Sequence, residues 1–420
     1  MTTVIYWFRS DLRLDDNPAF LLACQNADFL LPIYVHEPRL ELETQWGFPR
    51  VGEHRQVFLQ ESLQDLRLRL RQLGSDLFEL SGTCKEVFLD LRTQFGVNQV
   101  YCEQIEAPEE LKQVSILREI GFELHCTWQS SMLSPNDLPF QPEQMPDVFT
   151  QFRQQIEKQK YRFANPIESI KTVPPLPKEG QPAGLQVRTD ISHSNSAFIG
   201  GEGRAHEHIH QYFERCLVDT YKETRNQLIG MDYSSKFSPW LAMGCASARS
   251  IAQKLTEYEH QYGANDGTYW LWFELLWRDY FRFLHFKYGS KLYLSKGLSD
   301  KQSNLFDAVK FKQWTSGTTG VPLIDAGMRE LSRSGFLSNR IRQILSSYWI
   351  YDMRGDWRAG AAWFESQLID YDVYSNQGNW LYIAGKGTDP RGGRPFNVAK
   401  QAKDHDPDGA YQRMWLSEIT

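Results

Sequence analysis

Five stretches in the C-terminal half carry residues whose types and spacing could do chemistry. Tyr269–Leu284 reads YWLWFELLWRDYFRFL. On a helix, Trp270, Glu274, Trp277, Arg278 and Phe281 fall on one stripe by i, i+3 and i+4 spacing. An acid and a base among rings are costly to bury without partners, so the stripe is either an internal Glu–Arg pair or a polar contact to a ligand. In Phe336–Tyr348, FLSNRIRQILSSY, one helical face holds Asn339, Arg342 and Gln343. That set suits a polar ring edge or a phosphate, and equally a solvated face. In Asp370–Tyr382, DYDVYSNQGNWLY, Asp370 and Asp372 precede Asn376, Gly378, Asn379 and Trp380. Two acids and two amides around a glycine look like a helix-terminus loop built on a ligand. Paired carboxylates would also serve glycoside hydrolysis, and Asp and Asn are ordinary caps. In Tyr233–Gly244, Ser234, Ser235, Lys236, Phe237 and Ser238 precede Pro239, as in an anion-binding helix start or a plain Ser-Pro entry. Finally, Lys386–Lys403 carries Lys386, Arg391, Arg394, Lys400 and Lys403 against Asp389 alone. Such a basic loop could hold a phosphate backbone, though charge runs are usually solvated surface.

Other signals are weaker. His206, His208 and His210 suggest a metal, yet only His206 and His210 would share a helical face, and no known ligand spacing is completed. No metal is expected. TSGTTG at 315–320 lacks the lysine of a P-loop. No G-x-G-x-x-G follows the first apolar run, where Arg9 and Asp11 stand instead, which argues against a nicotinamide dehydrogenase. The six cysteines form no C-x-x-C pair and suit buried thiols in a reducing compartment. No run of 18 apolar residues and no targeting segment is evident, so a soluble, cytoplasmic protein is expected. The net charge of −6 provides no global basic field.

The elements that must position these residues fall into two textures. Residues 1–127 alternate strand and helix signals. Strands are expected at Thr3–Phe8, Phe29–Val35, Asp76–Leu80, Asn98–Cys102 and Phe122–Cys126, and helices at Glu53–Leu73, Thr83–Phe95 and Pro108–Ile120. This pattern implies a parallel, Rossmann-like sheet with ligands at the strand C-termini. Residues 128–197 are rich in proline and read as a long surface connector with one helix, Asp147–Lys160. Residues 198–420 read as all-helical. The chain is 14% aromatic, and ten of its 13 tryptophans lie between Trp240 and Trp415, so the excess belongs to this half.

Taken together, these segments resemble the photolyase/cryptochrome family, most closely its cryptochrome-DASH branch. The resemblance covers nearly the whole chain. It is carried by WFRSDLRLDDNPAF, GGEGRA, YKETRNQLIGMDYSSKFSPWLAMG, WFELLWRDYFRF, GTTGVPLIDAGMRELSRSGFLSNRIRQ, DWRAGAAWFESQLIDYDVYSNQGNWLY and GTDPRGGRPFN. It implies an α/β domain joined by a long connector to an all-α FAD-binding domain.

By the resemblance, Tyr221, Ser234, Ser235, Lys236, Phe237 and Ser238 would hold the phosphate side of FAD. Glu274, Arg278, Asn339, Arg342, Asp370, Asp372 and Asn376 would surround the flavin, with Asn376 near N5. The implied reaction is light-driven splitting of cyclobutane pyrimidine dimers by an electron from reduced FAD, on a lesion flipped out of the strand. Glu274 would hydrogen-bond the dimer, Trp277 and Tyr382 would flank it, and Gln343 would line the pocket. Tyr382 and Gln343 stand where duplex-acting relatives carry Trp and Met. That implies preference for single-stranded or looped DNA, with Lys386, Arg391 and Arg394 as backbone contacts.

Trp380 and Trp357 match the proximal and middle members of the family's electron-carrying trio. The distal position is Asn304, a departure for which Tyr348, Trp349 or Trp314 could compensate. Slower or rerouted photoreduction follows. Glu109 falls where the family's antenna-binding acid is expected, so a 5,10-methenyltetrahydrofolate antenna is a further possibility. A monomer is expected. A non-enzymatic blue-light receptor is the alternative. It is disfavoured by the lesion-contact residues and by the absence of a long tail before Thr420.

Overall fold

The structure is a computed structural model that describes residues 1–159, 162–178, 180, 182 and 197–417. Its N-terminal part is a five-stranded parallel sheet: β1 Thr3–Phe8, β2 Phe29–His36, β3 Phe78–Ser81, β4 Gln99–Glu103 and β5 Glu123–Thr127, in the order β3-β2-β1-β4-β5. Every strand expected from the sequence is present, with ends moved by up to two residues. Alternation along β1 separates two layers. Ile5 and Trp7 join Leu31, Ile33, Val100 and Cys102 against the helices Cys84–Phe95 and Pro108–Glu119. Val4, Tyr6 and Phe8 face the other way, into a core that runs on into the helical half. The sheet thus packs one face on the helical domain. The strand order turns at β1/β4, which places Arg9, Asp11 and Glu103 at the crevice where such sheets meet ligands or partner domains.

The connector is more than a surface strap. Gln129 donates to Asp11 Oδ2 at 2.9 Å and accepts from the Ala19 amide at 2.9 Å. Met132 and Leu133 are buried, and their amides donate to Asp279 at 3.0 and 2.7 Å. The expected helix is found at Phe149–Lys158. Residues 160, 161, 179, 181 and 183–196 of the expected connector lie outside the described residues.

The helical half begins at Glu202–Glu214. Its central member is the helix Asp266–Tyr288, started by an Asn265–Thr268 capping box and holding one glycine, in its first turn. The helices Pro322–Ser334, Asn339–Ser347, Trp357–Gln367 and Val373–Ala384 complete the region around the site. The two halves are tied by a buried Arg249–Asp16 pair at 2.8 Å and by Arg13 Nη1 donating to the Gly244 carbonyl at 3.0 Å.

Candidate flavin and lesion site

The inner wall of the site is made of ion pairs whose carboxylates are buried. Arg282, on the central helix, holds Asp372, and Arg342 Nη2 donates to Asp370 Oδ2 at 2.7 Å. Burial alone would raise the Asp372 carboxyl, but Arg282, Arg278 and the Ser375 amide hold it at about 2. Asp372 also caps the helix Val373–Ala384 through Ser375 N at 2.8 Å. Asp370 keeps its other carboxylate oxygen, Oδ1, buried and unpartnered. Asn376 donates to the Ala361 carbonyl at 3.1 Å. Gly378 lies against Phe281, where a Cβ would come within 2.1 Å of the ring, so the two helices meet only because this residue has no side chain.

The stretch 233–238 meets this wall. Lys236 is buried, with Nζ 3.1 Å from the centre of the Tyr233 ring. Burial pulls its ammonium down to about 7, opposed by Glu330 and Asp370 and reinforced by Arg342. Ser234 and Lys236 both adopt left-handed backbone, at φ 53° and 56°. Two non-glycine residues in that region are strained, and strain of this kind collects at ligand clamps. His208 bonds the Ser235 carbonyl at 2.8 Å and stacks near Trp240, so the three histidines have separate partners. Ser238 opens the next helix with Phe237 buried just before it, and Tyr221 is buried as well.

Glu274 pairs with Arg225, not with Arg278 as an internal pair would require. Arg278 instead reaches the carbonyls of Ser130 and Leu241, and burial and nearby Arg282 lower it to about 10. Arg225 lies over the Trp270 ring at 4.2 Å. Beside it, Arg340 bridges Asn226 Oδ1 at 3.1 Å and Gln343 Oε1 at 3.2 Å. Burial and the Arg225 charge lower the Arg340 guanidinium. Asn339 opens the same helix. Arg225, Asn226 and Arg340 were not singled out from the sequence. Each lies within a motif in the sequence, but only the fold brings the two arginines together.

Trp277 sits between two rings. Phe149, from the connector, stacks on it at 3.6 Å and 12°, and Tyr382 meets it edge-on at 5.6 Å. One face of Trp277 is therefore covered by protein. The Tyr382 hydroxyl accepts from Arg394 at 2.6 Å, and Arg394 is in turn held by Asp389 at 2.9 Å.

Two expectations about charge change here. Lys386 is not a free cation of the basic loop: it is buried and donates to the Lys301 carbonyl at 2.6 Å. Arg394 is neutralised by Asp389. Arg391, Lys400 and Lys403 remain exposed. In the α/β half, Glu109 is held by Arg50 at 2.6 Å and Arg39 at 3.2 Å, and Arg50 also reaches Glu365 of the helical half at 2.6 Å.

The tryptophans form an array in which Trp314 and Trp349, rather than Trp357, adjoin Trp380. Trp380 is buried under Gly360, where a Cβ would lie 2.2 Å from the indole. Its ring centre is 6.4 Å from Trp314, which stacks on Trp349 at 5.2 Å and 25°. Trp357 donates from its indole to the Ser295 carbonyl at 2.9 Å, and among the described residues it makes no comparable ring contact. Asn304 is structural: its amide bonds the carbonyls of Ile350 at 3.0 Å and Gly355 at 3.2 Å.

A buried carboxylate oxygen without a partner, a strained Ser/Lys turn and two fixed arginines offer donors for phosphates on one side and polar partners for a ring edge on the other. They fit a flavin dinucleotide. Fold and site together define a flavoprotein of photolyase architecture. Residues 4–177 match the family model for DNA photolyase, and residues 270–420 match that for the FAD-binding domain of DNA photolyase. A cryptochrome DASH of Xenopus laevis is 43% identical over 99% of this chain and 83% of its own length. The crystal structure of a Synechocystis cryptochrome superposes with a TM-score of 0.94 at 41% identity, covering 99% of this chain and 89% of that one. A class III photolyase from Agrobacterium tumefaciens gives 0.83 at 26%, covering 99% and 86%. The chain belongs to the cryptochrome DASH family, and its cofactor is FAD. Among the described residues no helix is long and apolar enough to cross a membrane.

Proposed function

We propose that this protein is a light-driven lyase that splits cyclobutane pyrimidine dimers in single-stranded or looped DNA. FAD, when bound and reduced, supplies one electron on absorbing blue light and recovers it after the dimer opens. The chain's own residues do the rest. Ser234, Ser235, Lys236, Ser238 and Tyr221 bind the phosphate side. Arg342, Asp370, Arg278, Asp372, Asn339 and Asn376 orient the ring system, and an amide at 376 adds no charge beside it. The carrying observation is the outer wall, where Glu274, Gln343, Trp277 and Tyr382 stand together beside Arg225 and Arg340.

Glu274 offers a carboxyl that burial raises and Arg225 lowers, with the net shift upward. It can therefore accept from, or share a proton with, a pyrimidine edge. Arg225 and Arg340 suit the phosphate inside a dinucleotide lesion. Trp277, backed by Phe149, gives one wall of the clamp, and Tyr382 gives a smaller ring than an indole. A clamp this shallow favours lesions already unstacked, since it returns less energy against base flipping. The protein acts as a monomer, with Arg391 rather than Lys386 meeting the strand.

Electrons reach the cofactor through Trp380. Trp357 is the middle carrier by family position, but the stacked Trp314–Trp349 pair is the connected outer leg in place of Asn304. The Arg39–Glu109–Arg50 cluster is the antenna-side counterpart, where a reduced folate would find its charged contacts. The test is illumination of the reduced protein with a dimer-containing oligonucleotide. Recovery of intact thymines supports the lyase; none on either single-stranded or duplex substrate leaves the blue-light receptor reading.

A further inference from the structure

Two of the six cysteines are register partners. Cys102 on β4 lies opposite Cys126 on β5 in the parallel ladder, and their sulfurs are 3.7 Å apart. In-register neighbours on adjacent strands are about 4.8 Å apart. Disulfides span Cα separations of about 4.4–6.8 Å, so the backbone already satisfies the bond. β5 is the edge strand of the sheet and is held on one side only, so closing the remaining gap does not require a second strand to move. The two thiols also differ in environment. Cys102 is fully buried, while Cys126 is partly exposed. None of the functions assigned above uses either.

We propose that Cys102 and Cys126 form a redox-active dithiol that closes to a disulfide when the protein meets a peroxide or a small-molecule disulfide. Cys126 is the attacking sulfur. The groups that face it are the Cys102 thiol, Arg118 and Arg9, which favour its thiolate, and Glu106, which opposes it; burial also opposes it, and the balance brings it down to about 7. The same pairing, and then burial, push the Cys102 thiol up and keep it protonated. A reactive, accessible thiol beside a buried resolving one is the arrangement of redox-sensing pairs.

With hydrogen peroxide, the Cys126 thiolate attacks one oxygen, the O–O bond breaks, Cys126 becomes a sulfenic acid, and the departing hydroxide takes up the proton that the thiol released to become water. Cys102 then attacks the sulfenic sulfur, forming the S–S bond and releasing water. Two thiols and one peroxide become one disulfide and two waters. With oxidised glutathione, the same two attacks release two glutathione thiols. The bond would pin the edge strand directly beside Glu103, Gln104 and Glu106. Glu106 N donates to the Tyr374 hydroxyl of the helical half at 2.7 Å, so the pin lies next to the seam between domains.

The experiment treats the purified full-length protein with hydrogen peroxide or oxidised glutathione. Free thiols are then capped under denaturing conditions, the protein is digested without reduction, and the peptides are mapped by mass spectrometry. The expected product is a 102–126 crosslinked peptide, reversed by dithiothreitol, with the other four cysteines capped. Cys102→Ser should leave Cys126 as a dimedone-reactive sulfenic acid or a glutathione adduct, and Cys126→Ser should leave Cys102 unmodified. Near-UV circular dichroism establishes that each variant is folded. Alkylation of Cys126 in Cys102→Ser should also outpace that of Cys24, which burial pushes up to about 12. Exposed Cys216 oxidising while the 102–126 pair stays reduced would overturn the proposal, as would Cys126 advancing to sulfinic acid without crosslinking.

Discussion

The inner and outer walls of the site use the same residue types for opposite purposes. Both pair arginines with carboxylates on or beside the central helix. Inside, Arg282 and Asp372 are 3% and 11% exposed; outside, Arg225 and Glu274 are 23% and 28% exposed. A buried pair cannot exchange its partner without stranding a charge, so it fixes geometry. A pair about a quarter exposed can trade its partner for a ligand at lower cost than a buried one. On the proposed function, the difference separates holding a cofactor from meeting a substrate.

The largest effect expected is at the inner wall. Arg282→Ala leaves Asp372 buried and uncompensated, and should cost about 3–5 kcal/mol in urea unfolding together with loss of co-purifying FAD. Less than about 1 kcal/mol would erase the distinction between the walls. At the outer wall, Glu274→Ala should leave flavin content and unfolding nearly unchanged while lowering repair roughly tenfold to hundredfold, the worth of one hydrogen bond to a charged group. Next are the tryptophans: Trp314→Phe should slow light-driven flavin reduction more than Trp357→Phe, read by flash photolysis. The reverse order would return the middle position to Trp357.

The seam between the halves gives a pH test. Burial and Asp11 lift Glu103 to about 8, against the opposing Arg13, Arg282 and Arg9, and Glu103 Oε2 has no partner, as suits a protonated carboxyl. The folded state binds this proton more tightly than the unfolded chain does. Its stabilising contribution is therefore full below about pH 4.5 and is lost as pH rises through about 8. Thermal midpoints should fall across that window, and less steeply in Glu103→Gln. Smallest of all, Lys386→Ala should leave the salt slope of single-strand binding unchanged, while Arg391→Ala should reduce it by about 1. Equal losses would restore the whole loop to the interface.

Much of this was legible in the sequence, for identifiable reasons. Strand alternation and turn residues placed β1–β5 within two residues, and Thr83 announced the helix Cys84–Phe95 because its capping box is local. The inner wall was legible because Asp370, Asp372, Asn376 and Arg342 sit inside long ordered motifs. Long-range partners were not. Phe149 reaches Trp277 from a connector read as a surface strap, and Glu274 finds Arg225 some fifty positions away rather than Arg278 one turn on. Lys386 looked like a free cation because charge alone does not reveal that its ammonium caps the Lys301 carbonyl. The unusual Asn304 and the candidates Tyr348, Trp349 and Trp314 were visible in the sequence, but nothing there chose among them, since stacking of Trp314 on Trp349 is a property of packing.

The most direct measurement of the central claim is the repair yield per absorbed photon for one pyrimidine dimer, presented in a single strand and in the matching duplex at equal salt. The proposed outer wall predicts efficient repair in the single strand and little in the duplex. Equal yields in both would contradict the shallow clamp of Trp277 and Tyr382, and no repair in either would contradict the lyase itself.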